Sequence, residues 1–409
     1  MPVISSRVTR SYKWLGLPTD WDAGWRAARA TVATAPAYVA VIGDSNAQGQ
    51  NTTDHMTKSF PRLLRNSLVA KYGSYGDYWS VAHSARYMTV LGGPAPLGIM
   101  PFAFDTTWGI SGGLNFNAFG THIMQDGGGT YPVAWVNAGS GSFLTPYACT
   151  DIDIIYHDWN SASTWKYNVD NAAGAGLVTV TNDARNSIRR ASLTGLSNAV
   201  HTVRVGNPSA IYALNLNGVV TYDPTNIKTR GVGFANISAS SLRLYDWQAS
   251  TNSMPDDRIR QWQGRYKTAP ATTLETGFGF PTQPHLAIIE LGINDCLNPG
   301  GLVQFRAGLR RMVEALRRGR DNCSIIFVIC PNPVTGISDT TTQFTRAESW
   351  SLYADQIYGI ASEYQCAVYN AHADWVPTSV AQGFTTSNDP HPTDLGHQHI
   401  ANILASVIV

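Results

Sequence analysis

The chain has 409 residues, of which 44% are hydrophobic and only 14% charged; this excludes disorder and supplies a large core spread over two or three domains. Its 29 Lys and Arg against 28 Asp and Glu leave a net charge of +1, a balance that points away from nucleic-acid and anionic-membrane partners. Five cysteines (Cys149, Cys296, Cys323, Cys330 and Cys366) are odd in number and lack C-x-x-C spacing, which argues against a zinc site or a full disulfide framework.

Residues 1–35 read as an N-terminal segment. Its first seven residues contain no apolar stretch of the secretory kind, and no run in the chain approaches the ~18 apolar residues of a membrane span. The first strand is Tyr38-Val39-Ala40-Val41-Ile42, an apolar run of the type buried on both faces of a parallel sheet. It stops at Gly43. Leu63, Leu64, Leu68 and Val69 then recur at helical spacing over residues 60–72, closed by Gly73.

From about residue 79 to residue 229 the helical period fades. Short alternating runs replace it, among them Ile152-Asp153-Ile154, Val178-Thr179-Val180, Val203-Arg204-Val205 and Leu214-Asn215-Leu216, separated by Gly, Asn and Ser. That pattern predicts an inserted β-sandwich or jelly roll. The α/β alternation resumes with a strand at Leu286-Ala287-Ile288-Ile289-Glu290-Leu291 and a helix carrying Leu302, Phe305, Leu309, Met312, Val313 and Leu316 on one face. Arg310, Arg311, Arg317, Arg318 and Arg320 fit a solvated face of the same helix. A strand over residues 324–329, a helix over 347–363, a short strand at Ala367-Val368-Tyr369 and a final helix from Asp394 complete a doubly wound parallel sheet.

In such sheets ligands bind at the carboxyl ends of the strands. Three polar groups fall there: Gly43-Asp44-Ser45-Asn46, Gly292-Ile293-Asn294-Asp295 and Asn388-Asp389-Pro390-His391-Pro392. Each alone is also an ordinary capping turn. Together and in order they provide the parts of an acyl-transfer site. A serine hydroxyl becomes a nucleophile when a base such as histidine takes its proton, and an imidazole needs an acceptor on its other nitrogen. The oxyanion needs donors, which backbone N–H groups and an asparagine amide can supply. Asp44, Asn46, Asp295 and Asn388 are the residues expected to touch substrate. Ala47 stands where a G-x-S-x-G elbow would carry its last glycine, so that motif is absent.

These motifs resemble the SGNH, or GDSL-type, hydrolase family. Val41-Ile42-Gly43-Asp44-Ser45 matches its first block, Gly292-Ile293-Asn294-Asp295 its third, and His391-Pro392-Thr393 with Gly396-His397 its fifth. The resemblance spans residues 36–78 and 230–409 and implies a flavodoxin-like three-layer α/β/α domain that hydrolyses carboxylic esters without cofactor or metal. It implies Ser45 as nucleophile, His391 as base, and Asn294 with a neighbouring glycine-block N–H at the oxyanion; Gly292 belongs to the same catalytic set. Two positions depart from the pattern. The family's Asp precedes its His by three residues, where this chain has Asn388; Asp389, two before, is the preferred partner. The second-block glycine is represented either by Asn137-Ala138-Gly139-Ser140-Gly141 or by residues 233–241, the preferred segment, in which Ser241 replaces the usual glycine.

Residues 79–229 resemble the carbohydrate-binding-module-like β-sandwich inserts of some family members, frequent in bacteriophage tail proteins. The resemblance therefore implies a virion or extracellular location, an acylated glycan or cell-envelope polymer as partner, and a homo-oligomer or tail-associated assembly. A glycan-binding tail protein on a degenerate esterase scaffold and an acyltransferase are the competing readings. His397 and His399 are two apart on a helix and face different ways, so packing or capping is expected of them rather than metal binding. His157 and His201 are expected to be structural, and Trp159, Trp165 and Tyr167 to serve as core before sugar platform.

Overall fold

The computed structural model describes residues 14–15, 18–80, 102–104, 140–145, 147–158, 164–170, 178–181, 187–206, 215–225, 228–238, 244, 280, 282–297, 301–319, 321–329, 350–375, 380–386 and 389–409. Its elements begin with β1 (Trp14–Leu15), α1 (Ala23–Ala30), β2 (Pro36–Gly43), α2 (Ser45–Gln48), α3 (His55–Lys58), α4 (Phe60–Tyr72) and β3 (Ser74–Ser80). The middle of the chain holds β4 (Phe102–Phe104), β5 (Ser140–Leu144), β6 (Asp151–Asp158), β7 (Thr164–Val169), β8 (Val178–Thr181), β9 (Ser187–Leu193), β10 (Thr202–Gly206) and β11 (Asn215–Tyr222). Alternation returns with β12 (Gly231–Ser238), β13 (Leu286–Glu290), α5 (Ile293–Leu297), α6 (Leu302–Gly319), β14 (Ser324–Ile329), α7 (Trp350–Glu363), β15 (Ala367–Asn370) and α8 (Ala371–Trp375). β16 (Thr385–Thr386), β17 (Asp389–Pro392) and α9 (Asp394–Ile408) close the chain.

One sheet organises the molecule, in the order β1-β15-β14-β13-β2-β12-β3-β11-β6-β9. The strands from β15 to β3 run parallel, and β1, β11, β6 and β9 join antiparallel. The apolar run of β2 follows from its central place. Ala40 and Ile42 pack into one core with Phe305, Met312 and Leu316 of α6 and Tyr353 and Ile357 of α7. Val39 and Val41 point to the opposite core, with Trp25 of α1, Leu64 of α4 and Leu404 of α9. Period-2 alternation with helices on both faces leaves no polar position inside the strand. Successive strands β2, β3 and β12 lie to one side and β13, β14 and β15 to the other. The switch point, and so the crevice, falls at the carboxyl ends of β2 and β13.

The β-rich middle is only partly separate from this frame. β6, β9 and β11 extend the central sheet beyond β3, so the boundary drawn at residue 79 from the sequence crosses continuous hydrogen bonding. A second, antiparallel sheet has the order β4-β5-β10-β7-β8. Ile152, Ile154 and Val219 of the first sheet share a core with Trp165, Tyr167 and Val203 of the second. Trp165 and Tyr167 are therefore buried packing residues. Trp159 lies outside the described residues, as do Cys330 and residues 347–349 at the start of the helix read from the sequence. Cys149, Cys296, Cys323 and Cys366 are buried free thiols. Among the described residues no helix is long and apolar enough to cross a membrane.

Candidate active site

β2 ends at Gly43, and the chain turns at once into the one-turn helix α2, capped by Asp44, whose side chain accepts from the Asn46 N–H at 2.9 Å. Gly43 is required by crowding. A Cβ there would sit 2.3 Å from the Ala47 Cβ and 3.0 Å from Glu290 Oε2. The turn presents Ser45 at the sheet edge, and its Oγ lies 2.8 Å from His391 Nε2. The two residues are 346 positions apart in sequence.

His391 comes from β17, which pairs with β16 in a short antiparallel ladder. The loop after α2 clamps its backbone. Asn51 donates its amide to the His391 carbonyl at 3.0 Å. Thr53 donates its N–H and hydroxyl to the two Asp394 oxygens at 2.9 and 2.6 Å. Burial acts to raise the Asp394 carboxyl, but these bonds, Lys58 and His397 outweigh it and hold it below the usual range. Thr393 caps α9 by accepting from the Gly396 N–H. Asn388 and the side chain of Asp389, the alternative partners for His391, lie outside the described residues.

The third motif approaches from β13. Gly292 has φ +124°, a conformation side chains rarely adopt, and a Cβ there would meet the Phe305 ring at 3.0 Å. Asn294 follows on α5 and donates its amide to Asp44 Oδ2 at 3.1 Å, next to Ser45. Asp44, Asn46 and Asp295, the residues expected to touch substrate, are buried, as is Ser45 itself. Asp295 accepts from the Leu244 N–H at 3.0 Å and so ties Leu244 to α5. Asp44 and Asn46 form part of the support beneath Ser45.

That support contains a residue the sequence reading overlooked. Glu290, buried at the end of β13, accepts from the Asn46 amide at 3.3 Å and from the Ala47 N–H at 3.2 Å. Its signal was an acidic residue ending an otherwise apolar buried strand, where a charge is costly without partners. Burial and then the Glu290 charge push the Asp44 carboxyl well above the usual carboxylate range, against the opposing pull of the Asn46 N–H and His391. Asn51 was overlooked too, as a loop residue whose only significance is tertiary.

Of the two segments competing for the second oxyanion block, residues 233–238 lie on β12 beside the nucleophile strand, with Ser238 in register with Gly43. Ser241 lies outside the described residues. In the rival segment, residues 137–139 lie outside them, and Ser140 and Gly141 sit on β5 of the second sheet. His397 is buried, stacks on Phe60 and accepts from the Phe60 N–H at 3.1 Å. His399 pairs with Asp374 at 2.7 Å. His201 is buried in hydrogen bonds, and the side chain of His157 is outside the described residues. Among the described residues no group of three or more His, Cys, Asp or Glu is arranged to hold a metal ion.

No curated protein matches the sequence. A solved peptidoglycan O-acetylesterase is 13% identical, with a TM-score of 0.57 over 95% of each chain. A family two carbohydrate esterase from Clostridium thermocellum is 12% identical over 66% of this chain and 92% of that one, with a TM-score of 0.27. A lipase/acylhydrolase from Enterococcus faecalis is 14% identical over 44% and 76%, with a TM-score of 0.31. Of these three the first bears on the fold, and its coverage includes the β-rich middle. The model of the GDSL-like Lipase/Acylhydrolase family matches residues 229–399, a span that includes Asn294 and His391 but begins well after Ser45. Residues 229–399 therefore resemble a domain of the GDSL-like lipase/acylhydrolase family.

Proposed function

We propose that the protein is a serine esterase that removes acyl groups from an acylated carbohydrate or cell-envelope polymer. The observation that carries this reading is the 2.8 Å approach of Ser45 Oγ to His391 Nε2 at the switch point of the sheet. In the proposed reaction His391 takes the hydroxyl proton as Ser45 attacks the ester carbonyl. The tetrahedral oxyanion is held by the Ser45 N–H, the Asn294 amide and a backbone N–H near Ser241. The Asp44 bond fixes the plane of the Asn294 amide, so that one N–H of its NH2 is set while the other is presented to the oxyanion. Collapse expels the alcohol with the proton from His391. Water, deprotonated by His391, then cleaves the acyl-enzyme and releases the carboxylate. Asp389, with Asn388 as the alternative, is the proposed orienting partner of His391.

The substrate class rests on the whole-chain fold likeness to a peptidoglycan O-acetylesterase. The second sheet is proposed as a carbohydrate-binding layer. Its side chains other than the buried Trp165 and Tyr167 would make the contacts. An envelope polymer is met outside the cell, so a virion-borne or extracellular position, in a tail-associated or homo-oligomeric assembly, belongs to the same proposal. The test is Ser45→Ala. It is expected to abolish hydrolysis of p-nitrophenyl acetate and fluorophosphonate labelling while leaving the thermal unfolding curve unchanged. Undiminished turnover in that variant would sink the assignment.

A further inference from the structure

Beneath the nucleophile, four carboxyl oxygens from two residues each meet a donor. Asp44 Oδ1 accepts from the Asn46 N–H at 2.9 Å, and Asp44 Oδ2 from the Asn294 amide at 3.1 Å. Glu290 Oε1 accepts from the Asn46 side-chain amide at 3.3 Å, and Glu290 Oε2 from the Ala47 N–H at 3.2 Å. Asn46 thus binds one acid through its backbone and the other through its side chain. Both acids are buried, Asp44 at 0% and Glu290 at 1% exposure. Asn46 and Ala47 are neighbours in the chain, so their N–H groups bring Asp44 Oδ1 and Glu290 Oε2 side by side. Carboxylates only accept, so a bond between two of them requires a proton on one. Two adjacent buried negative charges would be costly, and sharing one proton removes half of that charge.

We propose that Glu290 is a positioning residue of the site, sharing one proton with Asp44 so that the pair locks the Ser45 turn and the Asn294 amide into a single arrangement. The inference rests on the esterase reading for its catalytic consequence, but not for the shared proton itself. The geometry gives it a clear role. Ser45 lies between Asp44 and Asn46 in sequence, so both ends of the nucleophile's backbone are bound to the dyad. Asn294, on another element, is bound to the same carboxyl. The charged group of a neighbouring element that acts on the pair is His391 from β17. Loss of the shared proton at alkaline pH would place a second negative charge under the turn. The two carboxyls would separate, and the donors they hold would move with them.

The test has two arms. Carbon-13 NMR of protein labelled at its Asp and Glu carboxyls is expected to show a protonated carboxyl at neutral pH, lost in both Asp44→Asn and Glu290→Gln. A wild-type spectrum without that signal overturns the proposal, whether or not the variants fold. In the second arm kcat/KM for p-nitrophenyl acetate is followed against pH. The wild type is expected to decline on an alkaline limb that Glu290→Gln displaces or removes, with Glu290→Ala at least tenfold slower than Glu290→Gln at neutral pH. A Glu290→Gln profile parallel to the wild type, merely scaled down, marks a packing role and overturns positioning through the shared proton. If the wild type shows neither turnover nor labelling of Ser45, the esterase reading fails while the spectrum still decides the dyad.

Discussion

Asn51 reaches across the crevice and donates its side-chain amide to the backbone carbonyl of His391 at 3.0 Å. The nucleophile's own loop therefore holds the backbone of the base. Asn51 has φ +70°, a left-handed conformation that asparagine tolerates better than most residues. Asn51→Ala removes the bond and adds backbone strain, whereas Asn51→Gly removes the bond alone. A hydrogen bond of this kind contributes about 1 kcal/mol, so both variants are expected to lower kcat roughly fivefold with little change in KM. Thermal melts should separate them, with Ala the less stable. Equal kcat in all three proteins would show that the clamp does not position His391.

Gly43 offers a test of how tightly the nucleophile turn is built. An alanine there would meet the Ala47 Cβ at 2.3 Å and Glu290 at 3.0 Å. Gly43→Ala must therefore push α2 off the end of β13, and a displacement of about 1 Å can cost about a hundredfold in rate. Adding Ala47→Gly removes the closer of the two contacts and should restore part of the activity. The Glu290 contact remains, so recovery is expected to be incomplete. Steady-state kinetics on the two single variants and the double variant check this, and additive losses would refute the steric account.

Much of this site was legible in the sequence because β2 and β13 are apolar along their length and each ends in a short polar motif. Ser45, Asn294 and His391 stood out as polar residues at predicted strand ends. The helix over residues 60–72 and the strand over 324–329 were readable from period alone. What could not be read was pairing. Alternation in β6 and β11 announces strands, but not that they extend the parallel sheet instead of closing a sandwich of their own. Glu290 looked like the last residue of a strand, and its significance depends on Asn46, 244 positions away. Asn51 gave no local signal, because its partner is a backbone carbonyl.

His201 makes the stability of the β-rich middle depend on pH. Its Nδ1 lies 2.6 Å from Asp170 Oδ2, and its Nε2 lies 3.0 Å from the Cys149 carbonyl and 2.8 Å from the Ser197 carbonyl. Acceptors on both nitrogens are satisfied together only by the imidazolium, which donates from each. Burial alone would lower its pKa; the bonds to Asp170, Ser197 and Cys149 outweigh burial and raise it above the ordinary 6.5. A raised folded-state pKa stabilises fully below 6.5, and that gain is lost as pH rises through the folded value. The Tm gap between wild type and His201→Gln should therefore be widest in mild acid and shrink toward alkaline pH. A gap independent of pH would show that the ring is neutral.

Asp77 joins the β-rich middle to the parallel part through charge. It is buried on β3 and accepts from Arg65 at 2.7 Å, Arg62 at 3.3 Å and the Tyr147 hydroxyl at 2.7 Å. The Tyr147 ring lies under both guanidinium groups, 5.2 Å from Arg62 and 5.9 Å from Arg65. Removing the acid leaves two α4 cations without their counter-charge, whereas removing the hydroxyl leaves ring and ion pairs in place. Asp77→Asn is therefore expected to cost about 3–5 kcal/mol and Tyr147→Phe about 1 kcal/mol. Urea unfolding followed by tryptophan fluorescence measures both. Because Asp77 ties α4 to strands on both sides of residue 79, the Asp77→Asn transition should also become less cooperative, with the β-rich middle melting first. A single sharp transition with an unchanged midpoint would mean that the apolar core beneath Tyr147 holds the two parts together without the cluster.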